Sequence, residues 1–157
     1  MARYQKQPID YPIGSVSCAT MRSEDLIPTF TYELDTHRRQ HTLKRHHMAR
    51  LTEIKRAMEQ DGYYESEQAD YDLEWLFDAL DEYAGPYFYF GAHPGDGSDY
   101  GYWLSEGFED DFDGLKVSDL SEVPAKYRGE VLLVNDHGNT ALYVKTARAM
   151  REIWGIV

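Results

Sequence analysis

Apolar positions along this chain return with two different periods, and the change falls at Pro86. Upstream they recur every three or four residues, the repeat of a helix with one buried face; downstream they alternate, as in a half-buried strand. Ser23 or Asp25 opens the first predicted helix, whose buried stripe is Leu26, Ile27, Phe30 and Leu34. Pro28 is tolerable there only near the start, where its missing N–H is not needed. No glycine or proline interrupts Thr29 to Asp61, so this stretch reads as two helices joined at Gln40 to Thr42. The second presents Leu43, His47, Leu51, Ile54 and Met58 on one face and ends at Asp61 and Gly62. The third is capped by Ser66, buries Ala69, Leu73, Leu76, Phe77 and Leu80, and is closed by Gly85 and Pro86.

Beyond Pro86 the alternation predicts strands over Tyr87 to Phe90 and Tyr100 to Leu104, joined by a glycine-rich loop from Gly91 to Asp99. Alternate rings of Tyr87 to Phe90 point to opposite faces, so about half of them belong to the core. A second hairpin joins Glu130 to Asn135 with Thr140 to Lys145 across Asp136, His137, Gly138 and Asn139, and Glu152 to Val157 forms a last strand. Near the N-terminus, Val16 to Ala19 reads as a short edge strand and Tyr4 to Tyr11 as an extended arm. The predicted fold is α+β: a single domain of N-terminal helices packed on a C-terminal antiparallel sheet. At 157 residues such a domain buries roughly two thirds of its unfolded surface and folds without staples.

Charge changes the picture more than composition does. From Ala57 to Leu115 there is no lysine or arginine, yet these 59 residues hold 17 carboxylates and 15 aromatic rings, while residues 1–56 carry 10 Lys/Arg against 6 Asp/Glu. On the third helix Glu67, Asp70, Glu74, Asp78, Asp81 and Glu82 follow at intervals of three or four, so like charges stand about 5 to 6 Å apart and cost an isolated helix a few tenths of a kcal/mol per pair. Helix stability therefore does not explain the pattern. It is either the solvated face of an acidic protein or an imitation of successive phosphates. A field of this sign repels nucleic acid and attracts the proteins that bind it. Glu106, Glu109, Asp110, Asp111 and Asp113 would extend that surface, with Phe108 and Phe112 as ring anchors. The candidate partner is a basic nucleic-acid-binding protein. Direct contact with nucleic acid and with membrane is not expected.

The basic segment supports two other readings. Arg38, Arg39, Lys44, Arg45, Arg50, Lys55 and Arg56, with His37, His41 and His46, clothe the second helix, as a solvated face or as a nucleic-acid or partner contact. Docked head to tail against the carboxylate stripe, it would make a homodimer.

Two runs resemble a known group. Tyr89-Phe90-Gly91-Ala92-His93-Pro94-Gly95-Asp96-Gly97-Ser98-Asp99-Tyr100-Gly101-Tyr102-Trp103 and Val134-Asn135-Asp136-His137-Gly138-Asn139-Thr140-Ala141-Leu142-Tyr143, with Thr20 to Pro28, are similar to small proteins encoded by bacteriophages and other mobile elements. The similarity covers about a quarter of the chain. It implies a phage or plasmid setting, and with it that the candidate partner belongs to a bacterial host, and supplies no catalytic residue, since that group has no assigned activity.

Candidate chemistry is sparse. His93, Asp96 and Asp99 with Asp136 and His137 form the one set of metal-capable side chains that two loops could bring together, as a zinc, manganese or iron enzyme would require. Their spacing fits no ligand motif, and glycine with aspartate in turns explains them as well. No P-loop, nucleophile elbow, HExxH or CxxC pattern is present, and no cofactor is called for. A single cysteine, Cys18, excludes an intrachain disulfide and reads as a small, at least half-buried side chain. With no apolar run of membrane length and no secretion signal, a cytoplasmic location in the host cell is expected.

Overall fold

A computed structural model of the protein describes residues 10–157. The arm expected from Tyr4 onward lies, up to residue 9, outside the described residues. The fold is α+β, and the chain divides into two compact units, Pro12–Glu106 and Gly107–Val157.

The first unit holds strand β1 (Gly14–Ser17), helices α1 (Ser23–Arg39), α2 (Met48–Ala57) and α3 (Glu67–Asp81), and strands β2 (Phe88–His93) and β3 (Asp96–Leu104). The three strands pair antiparallel in the order β1-β3-β2. The expected apolar stripe of α1 is fully buried, and Phe30 sits at its centre, edge-on to Phe77 and Phe90 at 5.1 Å and to Tyr100 at 6.0 Å. Aromatic rings from the helices and the sheet thus close one core between them, each such pair adding about 0.5 to 1.5 kcal/mol beyond its buried area.

The expected break between the first two helices is present, and its cause is local. His41 adopts the left-handed region (φ 59°), and the N–H groups of Thr42 and Leu43 both donate to the His37 carbonyl, at 2.8 and 3.0 Å. A 3-10 turn, Arg45–His47, then leads into α2, and His47 with Leu51 and Ile54 is buried as the spacing requires. Pro28 stands at the sixth position of α1, one turn deeper than its missing N–H recommends. The Ser66 cap of α3 is confirmed by a hydrogen bond from Ala69 N–H to Ser66 Oγ at 3.3 Å.

The glycine-rich run is less of a loop than its sequence suggests. β2 and β3 continue through it to the pair His93 and Asp96, leaving Pro94 and Gly95 as the turn. Glycines at 91 and 101 are needed for packing rather than for bending: a Cβ on Gly101 would strike the Gly14 carbonyl, and one on Gly91 would press the Tyr89 ring at 3.3 Å. Cys18, expected to be at least half covered, is exposed.

The second unit is a four-stranded sheet in the order β4-β5-β6-β7, built from β4 (Leu115–Val117), β5 (Gly129–Val134), β6 (Thr140–Lys145) and β7 (Met150–Ile156) behind a single helical turn, α4 (Phe108–Asp111). β5, β6 and β7 are antiparallel as expected, whereas β4 joins in parallel with β5, in register from Leu115 with Val131 to Val117 with Leu133. Phe108, Phe112, Val117, Val131, Leu132, Leu142 and Trp154 form its core. Among the described residues no helix is long and apolar enough to cross a membrane.

Candidate functional site

The carboxylates of α3 fall into three groups once their surroundings are known. Glu67, Asp70, Glu74 and Asp78 are exposed, and none has an ion-pair partner among the described residues. Their spacing keeps them on one side of the helix over a length of about 16 Å. Tyr71, 56% exposed, lies among them and donates its hydroxyl hydrogen to Glu67 Oε1 at 3.1 Å. An open aromatic ring therefore stands inside the negative face.

Asp81 and Glu82, expected to belong to the same face, have other duties. Asp81 accepts a hydrogen bond from the Phe90 N–H at 2.8 Å and so ties the end of α3 to β2. Glu82 is held by the basic segment: Lys44 Nζ lies 3.8 Å from its carboxylate, His46 Nε2 3.0 Å, and His47 Nε2 is in contact with it. Hydrogen bonding from His46, with the charge of His47, holds the Glu82 carboxyl below its ordinary range. Burial lowers His47 despite Glu82.

Asp72 is the carboxylate that the sequence reading left unplaced. It is buried on the apolar side of α3 and accepts from Arg50 Nη2 at 2.6 Å, Tyr63 Oη at 2.6 Å and Gln68 Nε2 at 2.9 Å. One signal was available: position 72 shares the helical face of Ala69, Leu76 and Ala79, and an aspartate buried there requires a cation or several hydrogen-bond donors. Burial and the neighbouring Asp72 carboxylate push the Tyr63 hydroxyl far above its ordinary range, so it remains a donor.

The basic segment is largely consumed inside its own unit. Arg38, Arg39 and Lys55 converge on Asp35, whose carboxyl is raised by burial but more strongly lowered by these three cations and stays below its ordinary value. Arg50 serves Asp72 and Glu53, and Lys44 serves Glu82. Only Arg45 and Arg56 of that segment have no ion pair among the described residues. A nucleic-acid contact or a head-to-tail dimer through this segment would use Arg45 and Arg56 or draw on cations already paired.

Glu106, Glu109, Asp110, Asp111 and Asp113 are all exposed. Phe108 and Phe112, expected to be ring anchors beside them, are not available: both are buried, with Phe108 edge-on to Trp154 at 5.9 Å. Their four-residue spacing turns them into the core of the second unit while the acids between them face water.

Of the residues considered for a metal enzyme, His93 and Asp96 accept local turn bonds and Asp99 is bonded to β1. His93 Nδ1 accepts from Gly95 N–H at 2.9 Å, Asp96 accepts from the N–H and hydroxyl of Ser98, and Asp99 accepts from Ser15 Oγ at 2.5 Å. In the other hairpin Asn135 Oδ1 takes the N–H groups of His137 and Asn139, and Asp136 and His137 are exposed. Among the described residues one group of three has metal-binding proximity, and the sequence reading missed it: His46, His47 and Glu82. Comparison with protein-family models, with curated proteins and with solved structures finds no match to this chain.

Proposed function

We propose that this is a phage-type accessory protein that acts by binding, its α3 face occupying the cationic groove of a host protein that handles nucleic acid, such as a restriction or CRISPR effector. One observation carries the reading: Glu67, Asp70, Glu74 and Asp78 stand exposed along one side of α3 with no ion-pair partner among the described residues. Like charges at this spacing cost helix stability. Four charges over about 16 Å amount to fewer per unit length than one strand of DNA presents at 3.4 Å per phosphate. Charge alone therefore does not hold the partner, and Tyr71 supplies an aromatic anchor of the kind that interfaces place at their energetic centres. The mobile-element setting rests on the motif resemblance and the nucleic-acid-handling class of the partner on the sign of the field.

The experiment compares the parent chain with Glu67→Lys, Asp70→Lys, Glu74→Lys and Asp78→Lys combined, both used as bait in extract of a bacterial host, with the captured proteins identified by mass spectrometry. The parent should retain a nucleic-acid-handling protein that the variant releases, while circular dichroism shows the variant still folded. Retention of the same protein by both baits refutes the role of the face. Capture of no such protein by the parent refutes the partner class.

A further inference from the structure

We infer that His46, His47 and Glu82 form a binding site for a divalent transition metal ion of the zinc class, separate from the acidic face and independent of what that face binds. The 3-10 turn Arg45–His47 sets two imidazoles side by side, ring centroids 4.2 Å apart, over the residue that caps the C-terminus of α3. His46 Nε2 lies 3.1 and 3.0 Å from the two Glu82 oxygens, His47 Nε2 touches the same carboxylate, and all three donor groups fall within 4.8 Å of one another. A tetrahedral zinc ion with bonds of about 2.0 to 2.2 Å needs its ligand atoms a little over 3 Å apart, so the exposed His46 and Glu82 side chains would close in from their present spacing of up to 4.8 Å. Two imidazole nitrogens and one carboxylate are a donor set suited to zinc, with one position left open.

What distinguishes this cluster from a chance meeting of surface groups is its support. His47 is 2% exposed, and its Nδ1 lies 2.8 Å from the Tyr83 hydroxyl, which also receives the Lys44 backbone N–H at 2.9 Å. Trp75 meets the His47 ring edge-on at 5.5 Å, and His37 stacks on Tyr83 at 3.9 Å. For Nε2 to offer its lone pair to an ion, Nδ1 must carry the proton and donate it to the Tyr83 hydroxyl oxygen, the way the second nitrogen of a metal-ligating histidine is characteristically held. His46 and Glu82 lie at the surface, 62% and 41% exposed by side chain, so an ion can enter and the fourth position faces water. The opposing group is Lys44, whose ammonium is 3.8 Å from Glu82 Oε1 and donates to the Glu82 carbonyl at 3.0 Å. It must release the carboxylate, which lowers the affinity for the ion.

The test uses the full chain, stripped of metal with chelator and titrated with Zn2+ alone by calorimetry at fixed ionic strength. One ion per chain should bind, and Co2+ in its place should give the visible absorption of a four- or five-coordinate centre. His46→Ala, at an exposed ring, and Glu82→Gln should each weaken binding at least tenfold. Tyr83→Phe, which keeps the ring but removes the hydroxyl that positions His47, should weaken it about 10- to 100-fold. Cys18→Ser, which removes the exposed thiol, should leave it unchanged. Absence of saturable Zn2+ binding by the parent, undiminished binding by His46→Ala, or loss of binding in Cys18→Ser overturns the assignment. If Glu82→Gln fails to fold, His46→Ala decides alone.

Discussion

Asp72 and Glu74 are two residues apart on one helix and carry the same charge, yet the structure predicts opposite consequences for removing it. Asp72 is 1% exposed and holds three donors. In Asp72→Ala the hydroxyl of Tyr63, itself 5% exposed, loses its acceptor, a loss of about 1 to 3 kcal/mol for a buried unsatisfied group. Rupture of a buried ion pair generally costs about 3 to 5 kcal/mol, but the Arg50 side chain is 33% exposed and can turn to Glu53 and water, so the upper end is not reached. The expected total is about 3 kcal/mol. Asp72→Asn keeps the shape and an acceptor for Arg50, and should cost about 1 kcal/mol. Glu74→Gln removes an exposed charge that stands one turn from both Asp70 and Asp78, and should be neutral or stabilising by a few tenths of a kcal/mol.

Urea unfolding followed by the helical circular dichroism signal measures the unit Pro12–Glu106, which contains all three long helices. With a denaturant slope of about 1.5 kcal/mol per molar, Asp72→Ala should lower the midpoint by about 2 M, Asp72→Asn by about 0.7 M, and Glu74→Gln by nothing measurable. A cycle with Arg50→Ala should give a coupling energy of about 1 to 3 kcal/mol. A shift below about 0.5 M for Asp72→Ala, or an equal shift for Glu74→Gln, would falsify the division of these carboxylates into buried and outward groups, and with it the face on which the proposed binding rests.

Three further outcomes follow from other parts of the chain. His41 holds a left-handed backbone conformation at an exposed position just past α1, so His41→Gly should raise the stability by about 0.5 to 1 kcal/mol, and a lowered thermal midpoint would contradict the assigned helix end. Burial raises the Glu33 carboxyl above its ordinary value of 4.5, only partly offset by the Tyr102 hydroxyl at 3.3 Å. The folded state therefore holds the Glu33 proton more tightly than the unfolded one, and stability is lost as pH rises from the unfolded value through the folded one. Glu33→Gln should be the more stable chain at pH 7, with the gain disappearing below about pH 4.5; a gain that persisted at pH 4 would assign the effect to packing. Whatever protein the α3 face binds, the affinity should fall as salt rises from 0.05 to 0.5 M, because the Debye length shrinks from about 14 to 4 Å; a salt-independent affinity would point to the aromatic contact alone.

Helices were legible because their signals are local. A cap at Ser66, a stripe at Leu26, Ile27, Phe30 and Leu34, and a break at Gln40 to Thr42 each depend on residues a few positions apart, and all three are in the structure. The course of β2 and β3 through the glycine-rich run was not legible, because the reason for glycine at 101 is the Gly14 carbonyl, a neighbour almost ninety positions away. The parallel pairing of β4 with β5 was hidden in the same way: three residues, Leu115–Val117, carry too short an alternation to announce a strand. At the candidate site the outward positions of Glu67, Asp70, Glu74 and Asp78 follow from helical periodicity alone. The employment of Glu82 does not, since it depends on the turn that brings His46 and His47 over the end of α3.

The charge block in the sequence is thus the sum of two unlike populations, and net charge cannot separate them. Asp35, Asp72 and Glu82 take five of the seven cations between Arg38 and Arg56, and these contacts join α1, α2 and α3. Each such cation is fixed by a partner already within about 4 Å, so recruiting it to a second anion would forfeit an existing pair. What remains on the outer side of α3 is a row of carboxylates with no ion-pair partner among the described residues, next to an open tyrosine. The unit Pro12–Glu106 holds 18 carboxylates against 8 Lys/Arg, so the uncompensated charge belongs to the same unit whose helices present that face. Internal pairing therefore separates the two populations in space: it places the cations beside the carboxylates between the helices and leaves the solvent side of α3 as the face on which the proposed cationic partner would dock.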